Sequence, residues 1–386
     1  MSAPAAMFEP CISRPLGEAI HRGLLTVERT LSPCRTEALA PPFAFNRLPF
    51  QYGAWGHLFF TAEGENRAGQ RQAIEVLRLA RGRVVARDGV VMLNDGSILD
   101  GLLQFVHPHR PGSFFRRVAG ELHLRRAGAM QVSGNFFLGL APSDQNYAHW
   151  VTCTLPSWWY FRDHLMQTGA RLIVGECNGF QTEALALLGI PEGALFRMPL
   201  EIVAFETLTM LSPIDLWQAG HYVGETGRAI AELATAGNDR SLPSRVYLSR
   251  RDSATRRLLN EAQAEPMLTR HGFVSLACSE LSFGDQVRHL ASADIVVGLH
   301  GAALGNIIFC RPGTRVIEVF PEYCVQPHFR VFAHVARLQY GFVQGTCFEP
   351  ERGRETNCAW DADFVIEASL LEAAIEAAKG LIPAAP

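Results

Sequence analysis

DIVVGLHGAALGNIIFCRPGTRVIEVFP, residues 294–321, is the stretch whose reading decides the fold class. The apolar run 295–299 is predicted as a strand that ends at His300. Gly301, Ala302 and Ala303 follow, and a short helix opens with Gly305 and Asn306. Pro312 and Gly313 form a turn into a second apolar strand that ends on Glu318. A strand running straight into a small-residue helix start leaves unpaired N–H groups and the positive end of the helix dipole at the sheet's carboxyl edge. Phosphates bind at such an edge. Small side chains matter because a pyrophosphate must come close to the backbone. The dinucleotide pattern G-x-G-x-x-G is absent, so the reading is a nucleotide phosphate site and not an NAD site.

Outward from this run, the second half of the chain alternates strands and helices. SRVYLSR, FVSLAC, DIVVGLH and TRVIEVF read as strands, with helices SATRRLLNEAQ, FGDQVRHLASA and AALGNIIF between them. That alternation predicts a compact, parallel, Rossmann-like domain over 241–350. Residues 351–386 end in an amphipathic helix. Upstream, 81–240 read as another α/β domain, and the polar, turn-rich AGNDRSLPS, 236–244, is the expected linker. Residues 82–102 alternate around Asp88-Gly89 and Asp95-Gly96 and read as a small β meander. Residues 1–80 look irregular, with AIEVLRLARG as one short helix. The expected fold class is α/β, with two Rossmann-like domains separated by an interdomain cleft and the meander near the N-terminus.

Composition narrows the function classes. The chain has 386 residues, enough for two sizeable cores, and a net charge of −3. That balance gives no support to a nucleic-acid partner. Lys379 is the only lysine, so a side chain clamping a phosphate must be Arg, with its bidentate fork. Nine cysteines without C-x-x-C predict reduced thiols. MSAPAAMFEP lacks the basic start and apolar core of a signal peptide, and no apolar run is long enough to span a bilayer. A cytoplasmic protein is expected, with peripheral contact at the inner face of a membrane left open.

Four segments in order resemble glycosyltransferase family 61: NYAHWVTCTLPSWW (146–159), FQTEALALLGI (180–190), YLSRRDSATRRLLNE (247–261) and the run from His300 to the VIEVFP strand. The resemblance covers roughly 130–345. Ala303 stands where the family usually has Gly, and Gly305 where it has Thr. The resemblance implies the two-domain GT-B architecture. It also implies transfer of a sugar from a nucleoside diphosphate sugar, UDP-linked in the first instance, to a glycan or lipid-linked glycan hydroxyl, with inversion and without a metal. Surface polysaccharide (capsule) synthesis is the setting it suggests. A nucleotide-sugar-binding scaffold without catalysis, or a nucleotide-sugar epimerase of similar architecture, are the alternatives.

Residues then take roles. His300, at the strand end beside the phosphate turn, is placed to donate to a diphosphate oxygen and stabilise the leaving nucleotide. Gly301, Ala302, Ala303 and Asn306 line the turn. Arg250 and Arg251 end a strand on the same edge, and alternation lets one of them face the cleft. Glu318 is expected to accept the ribose hydroxyls, as an acidic residue does in dinucleotide folds. On the acceptor side, Asn146, His149 and Trp150 open a long helix. His149 is the expected general base, with Asp144 its nearest carboxylate rival. Asp361-Ala362-Asp363 is a D-x-D, read as a helix N-cap in preference to a metal site. His107 and His109 lack companion ligands at zinc spacing. No G-x-S-x-G elbow occurs, which argues against a hydrolase.

Overall fold

The computed structural model describes residues 8–43, 70–85, 89–100, 113–216, 218–237, 241–347 and 361–381, apart from single positions 120, 126, 143 and 323. His107 and His109 lie outside the described residues. Packing divides the chain into two units, Met1–Pro33 with Gln72–Asp215, and Cys34–Arg71 with Leu216–Pro386.

The first unit is built on a mixed sheet. Its main strands are β1 Thr26–Ser32, β2 Ile74–Ala80, β3 Arg83–Val85, β4 Val90–Met92, β5 Ile98–Leu99, β6 Ala129–Leu138, β7 Arg171–Val174, β8 Leu195–Arg197 and β9 Ile202–Leu211, with Ser13–Arg14 pairing at the edge beside β5. Four of them run parallel in the order β8-β7-β6-β9. β9 then pairs antiparallel with β3 through Ile202↔Val85 and with β2 through Thr207↔Ala80. The stretch expected as a short helix is therefore strand β2. Its apolar residues Ile74, Val76, Leu77 and Leu79 are buried against β9 and β1, and this packing overrides the helix-forming residues in the run. The helical segments are α1 Tyr147–His149, a π-turn Trp150–Thr154, α2 Leu155–Thr168 and α3 Gly179–Leu187. Passing from β6 to β7 to β8 the chain moves one way, and β9 returns to the other side of β6. The order thus reverses between the carboxyl ends of β6 and β9, where open α/β sheets hold ligands.

The second unit contains α4 His221–Thr235, β10 Arg245–Leu248, α5 Glu261–Arg270, β11 Val274–Leu276, α6 Phe283–Ser292, β12 Ile295–Leu299, a 3₁₀ helix Ala302–Phe309, β13 Arg315–Phe320, α7 His328–Val335, β14 Gln339–Gln344 and α8 Ala368–Gly380. The five strands are all parallel, ordered β11-β10-β12-β13-β14. Every residue of β12 is buried, as expected of a sheet covered on both faces. The order reverses between β10 and β12, so the residues just after Leu248 and Leu299 meet at the switch point.

Two boundaries differ from the sequence reading. α4 belongs to the second unit, so the division falls at Asp215 and not at 236–244. The reason is close packing. A Cβ on Gly224 would stand 2.2 Å from the Val335 carbonyl, and one on Gly227 2.2 Å from the Ile308 carbonyl. Only glycine lets α4 lie this close to α7 and the 3₁₀ helix. The second difference is that α5 begins at Glu261, so Arg256 and Arg257 sit in an irregular loop and not in a helix. Arg256 takes a left-handed backbone, φ 52°.

Candidate functional site

At the switch point of the second unit, Arg250 and Gly301 face one another across the ends of β10 and β12. Arg250 Nη2 donates to Ser253 Oγ at 2.6 Å and to the Thr255 carbonyl at 3.0 Å. This tether lays the guanidinium over Gly301, where a Cβ would come within 1.7 Å of Nη1. Gly301 itself has an extended backbone, φ 164°. Its lack of a side chain therefore makes room for Arg250 and serves no special conformation. Arg251 turns away, pairing with Glu280 at 2.7 Å on the surface. Of the two arginines, the structure brings only Arg250 to the turn.

Among the described residues, the Nε–H groups of Arg250 and Arg256 are buried without an acceptor. Burial, reinforced by the Arg256 charge, pulls the Arg250 pKa below its ordinary value. Two neighbouring guanidiniums with free donors are under-compensated, and an anion would satisfy both. Ala302 and Ala303, in the first turn of the 3₁₀ helix, are half-buried beside them. Asn306 is different: it is fully buried and donates to Gln286 Oε1 at 3.0 Å and to the Ala303 carbonyl at 3.1 Å. It shapes the turn from behind and does not face a ligand.

Behind the turn lies a buried hydrogen-bonded chain. Glu318 Oε1 meets His300 Nδ1 at 2.5 Å, and Tyr340 Oη donates to Glu318 Oε2 at 2.6 Å. Glu318 has no exposed surface and both its oxygens are taken, so it is not free for ribose hydroxyls. This corrects the sequence assignment. A carboxyl in the middle of a covered parallel sheet has to be paired, and here β13 points it at the end of β12 and the start of β14. Burial holds the Glu318 carboxyl well above its usual range, and burial with the nearby His328, Arg256 and Arg250 charges holds His300 well below its own. Both shifts favour the neutral forms. Between neutral forms, a Glu318 hydroxyl donating to Nδ1 makes His300 the Nε2–H tautomer, a hydrogen-bond donor. The ring is clamped by Phe320 at 5.1 Å and Phe329 at 5.4 Å.

The D-x-D serves the same loop. Asp363 accepts from Arg257 N at 2.8 Å and from Arg257 Nη2 at 2.6 Å. Asp361 stands 3.8 Å from Arg256 Nη1, and its carbonyl accepts from Arg256 N. Neither caps a helix, because α8 starts at Ala368 with Glu367 as its N-cap. The pair instead fastens the loop that tethers Arg250.

In the first unit, the residues after β6 turn into the helical run 147–168. Asn146 caps α1, its Oδ1 accepting from Ala148 N at 3.0 Å. The π-turn follows at once. Leu155 N bonds to Trp150 O, five residues back, and Thr152 Oγ1 donates to the Ala148 carbonyl at 2.6 Å. Such π-turns occur often at functional sites. His149 is half-buried at its start. Trp150 has no exposed surface and packs edge-on to Trp158 at 5.5 Å, so it is core and not acceptor-facing, another correction. Asp144 is also buried. Thr154 Oγ1 donates to its Oδ1, Ala141 N donates to its Oδ2 at 3.0 Å, and its carbonyl accepts from Gln181 at 3.0 Å. It binds the loop, the π-turn and α3 together. Between β6 and β9 a cavity of about 30 Å³, bordered by Leu138, Ala141, Cys153, Thr154 and Ile214, has room for about one water.

Burial pushes the Asp144 carboxyl up to about 7, against the opposing hydrogen bonds of Thr154 and Ala141. From its usual value of 3.8 up to about 7 the folded chain holds a proton that the unfolded chain has lost. Stability contributed at this position therefore falls as pH rises through that window and levels off above it, by about 1.4 kcal/mol per pKa unit. Asp144→Asn should gain stability relative to the parent between pH 4 and 7 and keep a constant gain above. Urea midpoints measured across that range check this, and two parallel curves would refute it.

Sequence reasoning passed over Tyr340 and Ser253 and placed Arg256 in a helix. Only Glu318 carried a signal for the buried chain, since a lone carboxyl inside VIEVF needs a hidden partner. The eight cysteines among the described residues are free thiols, and none of the described helices is long and apolar enough to cross a membrane.

Residues 147–317 match the model of the Glycosyltransferase 61 family. The chain is 31% identical over 62 residues to a beta-1,2-xylosyltransferase of Oryza sativa subsp. japonica, covering 16% of this chain and 12% of that protein. It is 34% identical over 62 residues to a beta-1,2-xylosyltransferase of Arabidopsis thaliana, with the same shares. A third relative, protein O-linked-mannose beta-1,4-N-acetylglucosaminyltransferase 2 of Tetraodon nigroviridis, is 35% identical over 78 residues, 19% of this chain and 13% of that protein. The aligned stretch thus spans about an eighth of these relatives' length. Both the π-turn of the first unit and the Arg250–Gly301–His300 turn of the second fall within the matched range, and over residues 147–317 the chain carries a glycosyltransferase 61 domain.

Proposed function

We propose that this protein is an inverting, metal-independent glycosyltransferase that moves a sugar from a nucleoside diphosphate sugar, with UDP as the nucleotide, to a glycan or lipid-linked glycan hydroxyl. Surface polysaccharide synthesis is the setting we infer. The observation that carries the reading is the pair of half-buried arginines, Arg250 and Arg256, whose buried Nε–H groups lack acceptors at the switch point of a parallel sheet, beside the buried His300. A diphosphate answers that excess of donors. As the glycosidic bond to the diphosphate breaks, negative charge grows on the leaving oxygens, and fixed donors there lower the barrier. The proton of the acceptor hydroxyl goes to a base on the first unit, for which His149 at the π-turn is the choice. The activities for which the relatives are named, xylosyl and N-acetylglucosaminyl transfer, agree with such a donor class.

Gly301→Val tests the diphosphate site. The new side chain must expel the Arg250 guanidinium, yet valine accepts the extended backbone at 301. UDP affinity should fall roughly 10- to 100-fold, the worth of one or two charge-assisted hydrogen bonds. Titration by calorimetry, with circular dichroism to confirm the fold, decides it; unchanged affinity would move the site elsewhere.

Metal independence is tested separately. Transfer should proceed at the same rate with Mg²⁺ and Mn²⁺ removed and with either added back. A rate that collapses without them and returns with them would place the chemistry in the metal-assisted class.

A further inference from the structure

Glu37, His221 and His334 are brought together in the second unit from three distant parts of the chain. His221 opens α4, His334 lies in the last turn of α7, and Glu37 follows the short strand Arg35–Thr36. The Nε2 atoms of both histidines converge on one carboxylate oxygen, Glu37 Oε2, at 2.6 and 2.9 Å. Each side chain is a fifth to a quarter exposed, so all three are reachable from solvent. Beside them lies a cavity of about 430 Å³, bordered also by Arg330, Arg337 and Tyr340.

We propose that Glu37, His221 and His334 form a binding site for a single divalent transition-metal ion of the zinc class. Two imidazoles and one carboxylate are the three-protein-ligand set that zinc accepts while keeping a fourth position open. Nitrogen ligands disfavour Mg²⁺ and Ca²⁺, which take oxygen. The candidate ligand atoms lie within 4.8 Å of one another. A tetrahedral ion with bonds of about 2.0–2.1 Å would set its ligands about 3.3 Å apart. Glu37 therefore needs only a small withdrawal to replace two hydrogen bonds by three metal bonds. The open position faces the cavity, where the guanidiniums of Arg330 and Arg337 favour water-derived hydroxide or a small oxyanion as fourth ligand.

Such an ion ties Glu37 to residues 184 and 297 positions away in sequence. Clips that close long loops stabilise most in the chain-entropy picture, because the unfolded chain loses the most freedom. The site holds the 34–40 segment onto α4 and α7. It shares no ligand residue with the Arg250 turn, although Tyr340 borders the cavity and also bonds Glu318 behind that turn.

The test is zinc and cobalt titration of the full chain after chelator treatment and buffer exchange. We expect one Zn²⁺ bound per chain, a raised thermal midpoint, and the visible absorption of a tetrahedral ion when Co²⁺ is used. Glu37→Gln and His334→Ala should each weaken Zn²⁺ binding by more than about 100-fold, beyond the cost of losing an outer-shell partner. No stoichiometric uptake by the parent would overturn the proposal, as would equal uptake by both variants. The cobalt spectrum of the parent needs no variant to fold: a six-coordinate, nearly colourless product also counts against the site. All these readouts are independent of transfer, so a failed activity assay leaves them standing.

Discussion

His300→Ala is expected to lower turnover by about a hundredfold or more, in line with removing one donor from a developing negative charge, and to weaken UDP binding as well. The two effects go together because the Nε2–H donor meets the diphosphate in the ground state and more strongly as charge accumulates on it. The structure adds a control. Glu318 does not reach solvent and acts only through His300, whose tautomer it sets. Glu318→Gln keeps an acceptor for Tyr340 and a side-chain donor for Nδ1, so it should retain far more activity than His300→Ala. Glu318→Ala, by contrast, strips the partners of Tyr340 and His300 and should cost about 1–3 kcal/mol of stability for each buried polar group left unsatisfied. Steady-state kinetics, UDP titration and urea unfolding of the three variants separate these roles. If His300→Ala transfers sugar and binds UDP like the parent, the ring is only packing against Phe320 and Phe329.

His149→Ala is the second large effect. Loss of a general base should reduce kcat by about 10²–10⁴, while UDP affinity stays near that of the parent because the diphosphate groups belong to the second unit. The structure favours His149 over Asp144 for this role. Both Asp144 oxygens are engaged, by Thr154 and by the Ala141 amide, and the carboxyl is buried. His149 is half-buried at the mouth of the π-turn. A folded His149→Ala enzyme with near-full kcat would sink this assignment, and Asp144→Asn is then the next variant to assay.

The residues of the candidate site differ in how far sequence could place them. A strand ending in His300 and Gly301, and another ending in Arg250, are local patterns: apolar runs of strand length stopped by polar or small residues. Their order along the chain is enough to predict a carboxyl edge rich in donors. Sequence also identifies glycine at 301 as indispensable, but for the wrong partner. The atom that needs the space belongs to Arg250, fifty-one positions earlier, and no local pattern reports such an approach.

The same limit explains the other corrections. Glu318 and Asn306 look like exposed polar residues at strand and helix ends, whereas both are interior. Which side of a strand is covered depends on what lies across it, here Tyr340 on β14 and Gln286 on α6. AIEVLRLARG carries helix-forming residues, and only pairing to β9 and β1 makes it a strand. The unit boundary lies at Asp215 and not at 236–244 because the tie of α4 to the second unit is made by two glycines meeting distant carbonyls. Sequence by itself determined the strand–helix alternation, the phosphate-type turn and the family resemblance, because period, turn chemistry and motif are properties of neighbours in the chain. Tertiary structure alone decided the approach of Arg250 to Gly301, the His300–Glu318–Tyr340 chain and the meeting of Glu37 with His221 and His334. Those contacts join residues far apart in sequence, and they exist only once burial has forced buried polar groups to find one another.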